Sequence, residues 1–265
     1  MKVVLITGAS SGIGKAIGEY LSENGYIVYG TSRNPSQYPN SKFELLELDV
    51  RNTTTISSAI TYIIQKSNRL DIVINNAGVG ITGALEEIPT LEIRNNFDVN
   101  FFGPIEVIKA VLPQLRLQKS GLIINITSIA AYMGLPYRSI YSSSKGALQL
   151  LTEAISMEVK PFGIKICNVA PGDFATNIAA GRFHAPISAN SAYTKYPDIL
   201  SEMNAHVDGG DNPLDMAIAI RKIIETKNPK IHYKVGAIMQ KFSIVLKRIL
   251  PGLWYEKMMM NHYKL

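Results

Sequence analysis

The sequence predicts an α/β fold: a doubly wound, mostly parallel seven-stranded sheet with helices on both faces. Three observations predict it. Short apolar, β-rich runs alternate with stretches of helical apolar spacing along the chain. The first run, "KVVLIT" (2–7), is continuously apolar and of strand length, as in a strand covered on both faces. The joints are short, and no Pro-, Gly- or Ser-rich linker divides the 265 residues, so 1–265 is read as a single domain.

The elements follow in order. A helix over 14–24 is predicted by Ile17 and Leu21, then strands over 26–32 and 42–50. A helix over 53–67 turns Ile56, Ile60 and either Ile63 or Ile64 inward. A strand over 70–78 ends at a glycine. Residues 91–115 read as one or two long helices. Strand 121–128, a long helix over 137–160 stopped near Pro161 and Gly163, and strand 164–172 come next. Helix 215–226 and a short strand over 230–235 complete the count.

Composition narrows the class. With 46% hydrophobic and 18% charged residues, the chain reads as a soluble globular protein. The net charge is +6 but unevenly placed: residues 221–265 hold ten Lys/Arg against Glu225 and Glu256, which is +8, so the rest carries −2. Such a basic end meets an acidic partner or a membrane surface, or is merely solvated. No nucleic-acid module accompanies it. Cys167 is the single cysteine, which excludes an intramolecular disulfide and fits a reducing compartment. The amino-terminal apolar run is broken too early for a signal sequence, and no run approaches membrane-spanning length, so a cytoplasmic location is expected. No metal-binding cluster is expected.

The first strand runs into "TGASSGIG" (7–14) and then a helix. Glycines at Gly8, Gly12 and Gly14 allow unusual backbone angles and close approach to a pyrophosphate, while the helix start offers free N–H groups and a positive dipole end. This is the setting of a Rossmann-type dinucleotide site. An acid at the end of the second strand would bind a ribose 2′-hydroxyl; this chain has Ser32 and Arg33 there. Arg33 suits a 2′-phosphate, so NADP(H) is favoured over NAD(H).

Taken together, these residues resemble the short-chain dehydrogenase/reductase family. "TGASSGIG", "NNAG" (75–78), "DVNFFG" with Asn100, "INITS" with Ser128, "YSSSK" with Tyr141 and Lys145, and "PGDFAT" (171–176) match its motifs in order. Ser128 precedes Tyr141 by thirteen residues, the family's spacing. The stretches around 83–115 and 141–166 are similar to the 17β-hydroxysteroid dehydrogenase-like and retinol dehydrogenase-like branch, which implies a bulky apolar carbonyl or alcohol substrate. The resemblance implies a homodimer or homotetramer. It also implies cofactor contacts at Gly8, Ser10, Ser11, Ile13 and Gly14 around the phosphates. Asp49 and Val50 would lie at the adenine, Asn76, Ala77 and Gly78 at its ribose, and Pro171, Gly172 and Thr176 at the nicotinamide.

The implied chemistry is hydride transfer between nicotinamide and a carbonyl. Tyr141 is the expected proton donor. Lys145, one helical turn away, supplies a cation expected to lower the phenol's pKa, and the resemblance adds a grip on the nicotinamide ribose. Ser128 would hydrogen-bond the substrate oxygen, and Asn100 would hold a relay water. Of the three serines between Tyr141 and Lys145, Ser142 and Ser143 are the ones expected to approach cofactor or substrate. The alternative is an NADPH-binding regulator without catalysis.

Residues 177–212 are expected to form a substrate lid containing Phe183, His184, Tyr193, Tyr196, Met203 and His206. The extension over 236–265 has apolar residues at helical spacing with lysines between them. It reads either as packing over the cleft or against another subunit, which is favoured, or as a peripheral membrane helix.

Overall fold

The computed structural model describes residues 1–175 and 181–265, without the side chains of 206–208. Its centre is a seven-stranded sheet. The strands are β1 (Val3–Ile6), β2 (Ile27–Ser32), β3 (Glu44–Glu47), β4 (Ile72–Asn75), β6 (Gly121–Ile126), β7 (Ile164–Pro171) and β9 (His232–Val235). Their order across the sheet is β3-β2-β1-β4-β6-β7-β9, with every neighbouring pair parallel. All seven strands expected from the apolar runs are present, with shorter ends. A two-stranded sheet, β5 (Ile81–Thr82) with β8 (Phe183–His184), was not foreseen, because two residues carry no readable period.

Helices α1 (Gly12–Glu23), α2 (Thr53–Ser67), α4 (Gly103–Gln118), α5 (Ser139–Val159) and α7 (Pro213–Glu225) cover the sheet. One core lies under α1 and α7, with Ile17, Leu21, Ile220 and Ile224 against Val4, Ile6 and Ile74. The other lies under α2 and α4, with Ile56, Ile60, Ile63, Val107 and Val111 against Leu5 and Val73. Ile63, not Ile64, is the buried member of its pair. Asn52 caps α2, its side chain accepting from the backbone N–H of Thr54 and Thr55.

The helical run expected over 91–115 divides into α3 (Thr90–Phe97), a π turn at Asp98–Phe102, and α4. Such turns insert one extra residue per bend and cluster at functional sites. The 177–212 region contains a helix the sequence did not announce, α6 (Tyr196–Asp208). Its Tyr196, Ile199, Leu200 and Met203 form a small core with Ile81 and Ile88. The carboxyl-terminal extension forms α8 (Ile238–Ile249) and α9 (Gly252–His262), broken at Pro251. Ile244 and Tyr255 pack there on Ile129 and Met133. Among the described residues, no helix is long and apolar enough to cross a membrane.

Candidate active site

In this strand order the chain passes from β1 to β2 on one side and from β4 to β6 on the other, so a crevice opens beyond the carboxyl ends of β1 and β4. The β1–α1 turn forms its wall. Gly8 has φ +64°, and a Cβ there would stand 2.9 Å from Ala77 Cα. At Gly14 a Cβ would stand 2.5 Å from the Gly8 carbonyl oxygen. Both positions therefore require glycine. The turn is tied to the next motif: Asn76 Nδ2 donates to the Thr7 and Gly8 carbonyls at 3.0 Å each, and Thr7 Oγ1 accepts from the N–H groups of Asn76 and Ala77 at 3.0 Å. Asn76 thus spends its amide on the loop's shape.

The crevice has a volume of about 400 Å³ and is lined by Gly8, Ser10, Ser11, Ile13, Arg33, Asp49, Val50, Asn76, Ala77, Gly78, Tyr141, Lys145 and Pro171. Of the expected cofactor residues, Gly14 sits behind the loop rather than on this lining, Gly172 lines the adjoining chamber, and Thr176 lies outside the described residues. A glycine cradle at a helix start, opening into a crevice of ligand-site size, fits a dinucleotide.

At the far end, Arg33 is exposed on the rim. Ser32, where an acid would stand, accepts from the Asn34 N–H at 3.2 Å and so shapes the turn. Arg51, which sequence reasoning did not single out, clasps Asp49 through Nη2 at 2.7 Å and Nε at 3.1 Å. These hydrogen bonds hold the Asp49 carboxyl below the usual range, with Arg33 adding a smaller pull. The only signal for Arg51 was its place two residues after Asp49.

The other end gathers the tetrad. Ser128 ends the β6 segment, where its Oγ accepts from the Ala130 N–H at 3.1 Å. Tyr141 and Lys145 leave one face of α5. Lys145 Nζ donates to the Ile126 carbonyl at 3.0 Å, and burial lowers its pKa to about 8. The Tyr141 phenol is raised, chiefly by burial; its hydrogen bond with Ser128 and the charges of Arg138 and Arg182 pull the other way. Burial of the phenol outweighs these attractions, so its pKa is raised here.

Asn100 is fully buried in the π turn. Its Oδ1 accepts from the Val79 N–H at 2.9 Å and its Nδ2 donates to the Val79 carbonyl at 2.8 Å. It pins the strand end beside the lysine: a Cβ on Gly78 would stand 3.1 Å from Asn100 Oδ1 and 3.2 Å from Lys145 Nζ. Two further residues join this network. Ser144 Oγ donates to Asn96 Oδ1 at 2.9 Å, and Asn96 Nδ2 donates to the Val79 carbonyl at 3.0 Å. Ser144, not Ser142 or Ser143, is thus the serine of "YSSSK" built into the site. Asn96 stands one turn before Asn100, the signal that could have found it.

Beyond Tyr141 lies a smaller chamber lined by Ile13, Ile81, Ser128, Phe174, Arg138 and Arg182, with Asp173 and Gly172 at its edge. Its border is braced by the extension: Gln240 Nε2 donates to Asp173 Oδ2 at 2.7 Å, and Gln240 Oε1 accepts from the Asp173 N–H at 3.2 Å. His184 lies on the small sheet, its Nδ1 2.9 Å from Thr82 Oγ1.

With this geometry in view, similarity to known proteins becomes informative. The family model for the short chain dehydrogenases matches residues 2–186. Over 252 residues the chain is 42% identical to 3-ketodihydrosphingosine reductase of Bacteroides thetaiotaomicron, covering 94% of this chain and 93% of that one. It is 28% identical over 259 residues to retinol dehydrogenase 8 of Bos taurus, covering 89% and 81%. A short-chain dehydrogenase structure from Streptomyces avermitilis superposes with a TM-score of 0.81 at 30% identity, covering 100% and 97%. ElxO, solved with NADP bound, gives 0.70 at 28% identity, covering 88% and 96%. The protein belongs to the short-chain dehydrogenase family and is an oxidoreductase of Rossmann-type fold.

Proposed function

We propose that the protein is an NADP(H)-dependent reductase that converts a ketone on a bulky apolar substrate to a secondary alcohol, and the reverse. The observation that carries the reading is the position of Tyr141, which borders both the glycine-walled crevice and the chamber that Ile13, Ile81 and Phe174 share with Arg138, Arg182 and Asp173. A nicotinamide cofactor, when bound, supplies or takes up the hydride. Gly8, Ser10, Ser11 and Ile13 would hold its phosphates, and Arg33 a 2′-phosphate.

The protein's own residues handle the proton. The Tyr141 hydroxyl gives its proton to the oxygen that gains charge, and Ser128 donates a hydrogen bond to the same oxygen. A phenol raised by burial keeps its proton at neutral pH, so the proton that the developing alkoxide needs is in place for the reducing direction. Lys145, with a pKa of about 8, carries its proton at neutral pH and stabilises the phenolate left behind. Asn96, Asn100 and Ser144 are positioning residues: they fix the floor on which Lys145 rests.

The apolar side chains of the chamber and the name of the Bacteroides relative support a keto group beside a long alkyl chain as substrate. Oxidation of NADPH and NADH is to be followed with 3-ketodihydrosphingosine and with short ketones. The reading expects turnover with the long-chain ketone and at least about tenfold preference for NADPH, shrinking toward parity in Arg33→Ala. NADPH binding without turnover of any ketone would favour an idle cofactor-binding protein instead.

A further inference from the structure

Helix α8 is turned the wrong way round for a helix packed on a core. Ile238, Phe242, Val245 and Ile249 recur at the spacing of one helical face. That face points to solvent: Ile238 is 79% exposed, Phe242 48% and Ile249 68%. The opposite face meets the protein with Gln240, Ser243 and the buried Ile244. Past Pro251 the next residues on α9, Leu253 and Trp254, are exposed as well, Trp254 by 70%. The inward face holds Asp173 and Met133, so the apolar stripe is left outward by construction.

Charge decides what covers it. At 100° per residue, Lys241 and Arg248 run along one flank of the stripe. Lys247 sits over the Tyr255 ring at 4.7 Å, and Lys257 follows on α9. None of the four is ion-paired among the described residues. From 236 to 265 there are five Lys/Arg and one acid, Glu256, giving +4. A second copy seated on this face would bring the same cations against each other. An anionic bilayer surface offers both an apolar layer for the stripe and negative headgroups for its flank, with Trp254 at the boundary.

We propose that α8 and the start of α9 dock this protein on the surface of an anionic phospholipid membrane. The docked helix is the one whose Gln240 braces Asp173 and Gly172 at the chamber's edge. The substrate chamber is thereby held beside the lipid. The proposal rests on the surface alone and stands apart from the identity of the substrate.

Trp254 is the chain's single tryptophan, so its fluorescence reports the docking directly. The full chain is to be mixed with vesicles of phosphatidylcholine alone, or of phosphatidylcholine and phosphatidylglycerol in equal parts. Emission and co-sedimentation are then read. The expected result is a blue shift and pelleting with the mixed vesicles, little of either with phosphatidylcholine alone, and release by high salt. Phe242→Ser with Ile249→Ser, and separately Lys241→Glu with Arg248→Glu, should each weaken binding at least about tenfold. Both pairs are solvent-exposed or half-exposed and should leave the melting temperature and NADPH affinity unchanged. No binding to mixed vesicles, or binding that both variants retain, overturns the proposal. So does self-association in sedimentation equilibrium that Phe242→Ser with Ile249→Ser abolishes, since the face then belongs to a second copy.

Discussion

At Tyr141 burial and charge oppose each other, and burial wins. Arg138 and Arg182 line the chamber that the phenol borders and pull its pKa down by less than burial raises it. Lys145 bears a cost of its own. Its ammonium is buried against one carbonyl, and its pKa falls from 10.5 to about 8. Below about pH 8 the charged lysine penalises the native state in full. As pH rises from there toward 10.5 the native lysine is neutral while the unfolded one still binds a proton, so the penalty fades. Lys145→Met should therefore raise stability at pH 7 by up to roughly 3 kcal/mol, with the gain shrinking above pH 8, as urea titrations at both pH values would show. Activity should be lost in the same variant. Ser128, Tyr141 and Lys145 could be picked out because their thirteen- and four-residue spacings match the family's motifs, and Asn100 by its place in "DVNFFG". Asn96, Ser144 and Arg51 could not, because their roles depend on which elements the fold brings opposite them.

The π turn at Asp98–Phe102 is the element that makes the floor of the site. Its extra residue swings Asn100 toward Val79 and leaves Asn96 to meet Ser144. Asn96 and Asn100, four residues apart, share the face that meets Val79 and Ser144. Ser144→Ala strips a buried partner from Asn96 Oδ1 and should cost about 1–3 kcal/mol. Cofactor affinity should survive, which thermal melting with and without NADPH would check. The β1–α1 turn is equally constrained. Gly14→Ala drives a methyl group into the Gly8 carbonyl, so NADPH affinity should fall at least about tenfold by fluorescence titration. On α8, Gln240→Ala frees Asp173 from its brace and should raise KM for the ketone more than it lowers kcat. Periodicity announced α8 as amphipathic, but it says nothing about which face turns inward; Gln240 and Ser243 settled that through contacts far away in sequence.

Across the whole molecule, the phosphate loop, "NNAG", Ser128 and Pro171 fall at the carboxyl ends of β1, β4, β6 and β7, while Asn100, Tyr141 and Lys145 come from helical segments beside them. That is why strand count and order of motifs sufficed to foresee the architecture. β5 lines the chamber through Ile81 and Thr82, and α6 packs behind it. The β5–β8 sheet and α6 escaped a reading by pattern because these short segments gain their stability from one another, as with Tyr196 against Thr82. The account's central claim is that this scaffold moves a proton through Tyr141 during reduction of a ketone. Single-turnover oxidation of NADPH by wild type and Tyr141→Phe, with 3-ketodihydrosphingosine as substrate, tests it most directly. The account predicts a loss of about 10²–10⁴-fold in rate with NADPH affinity unchanged. Wild-type turnover in the Tyr141→Phe variant would contradict it.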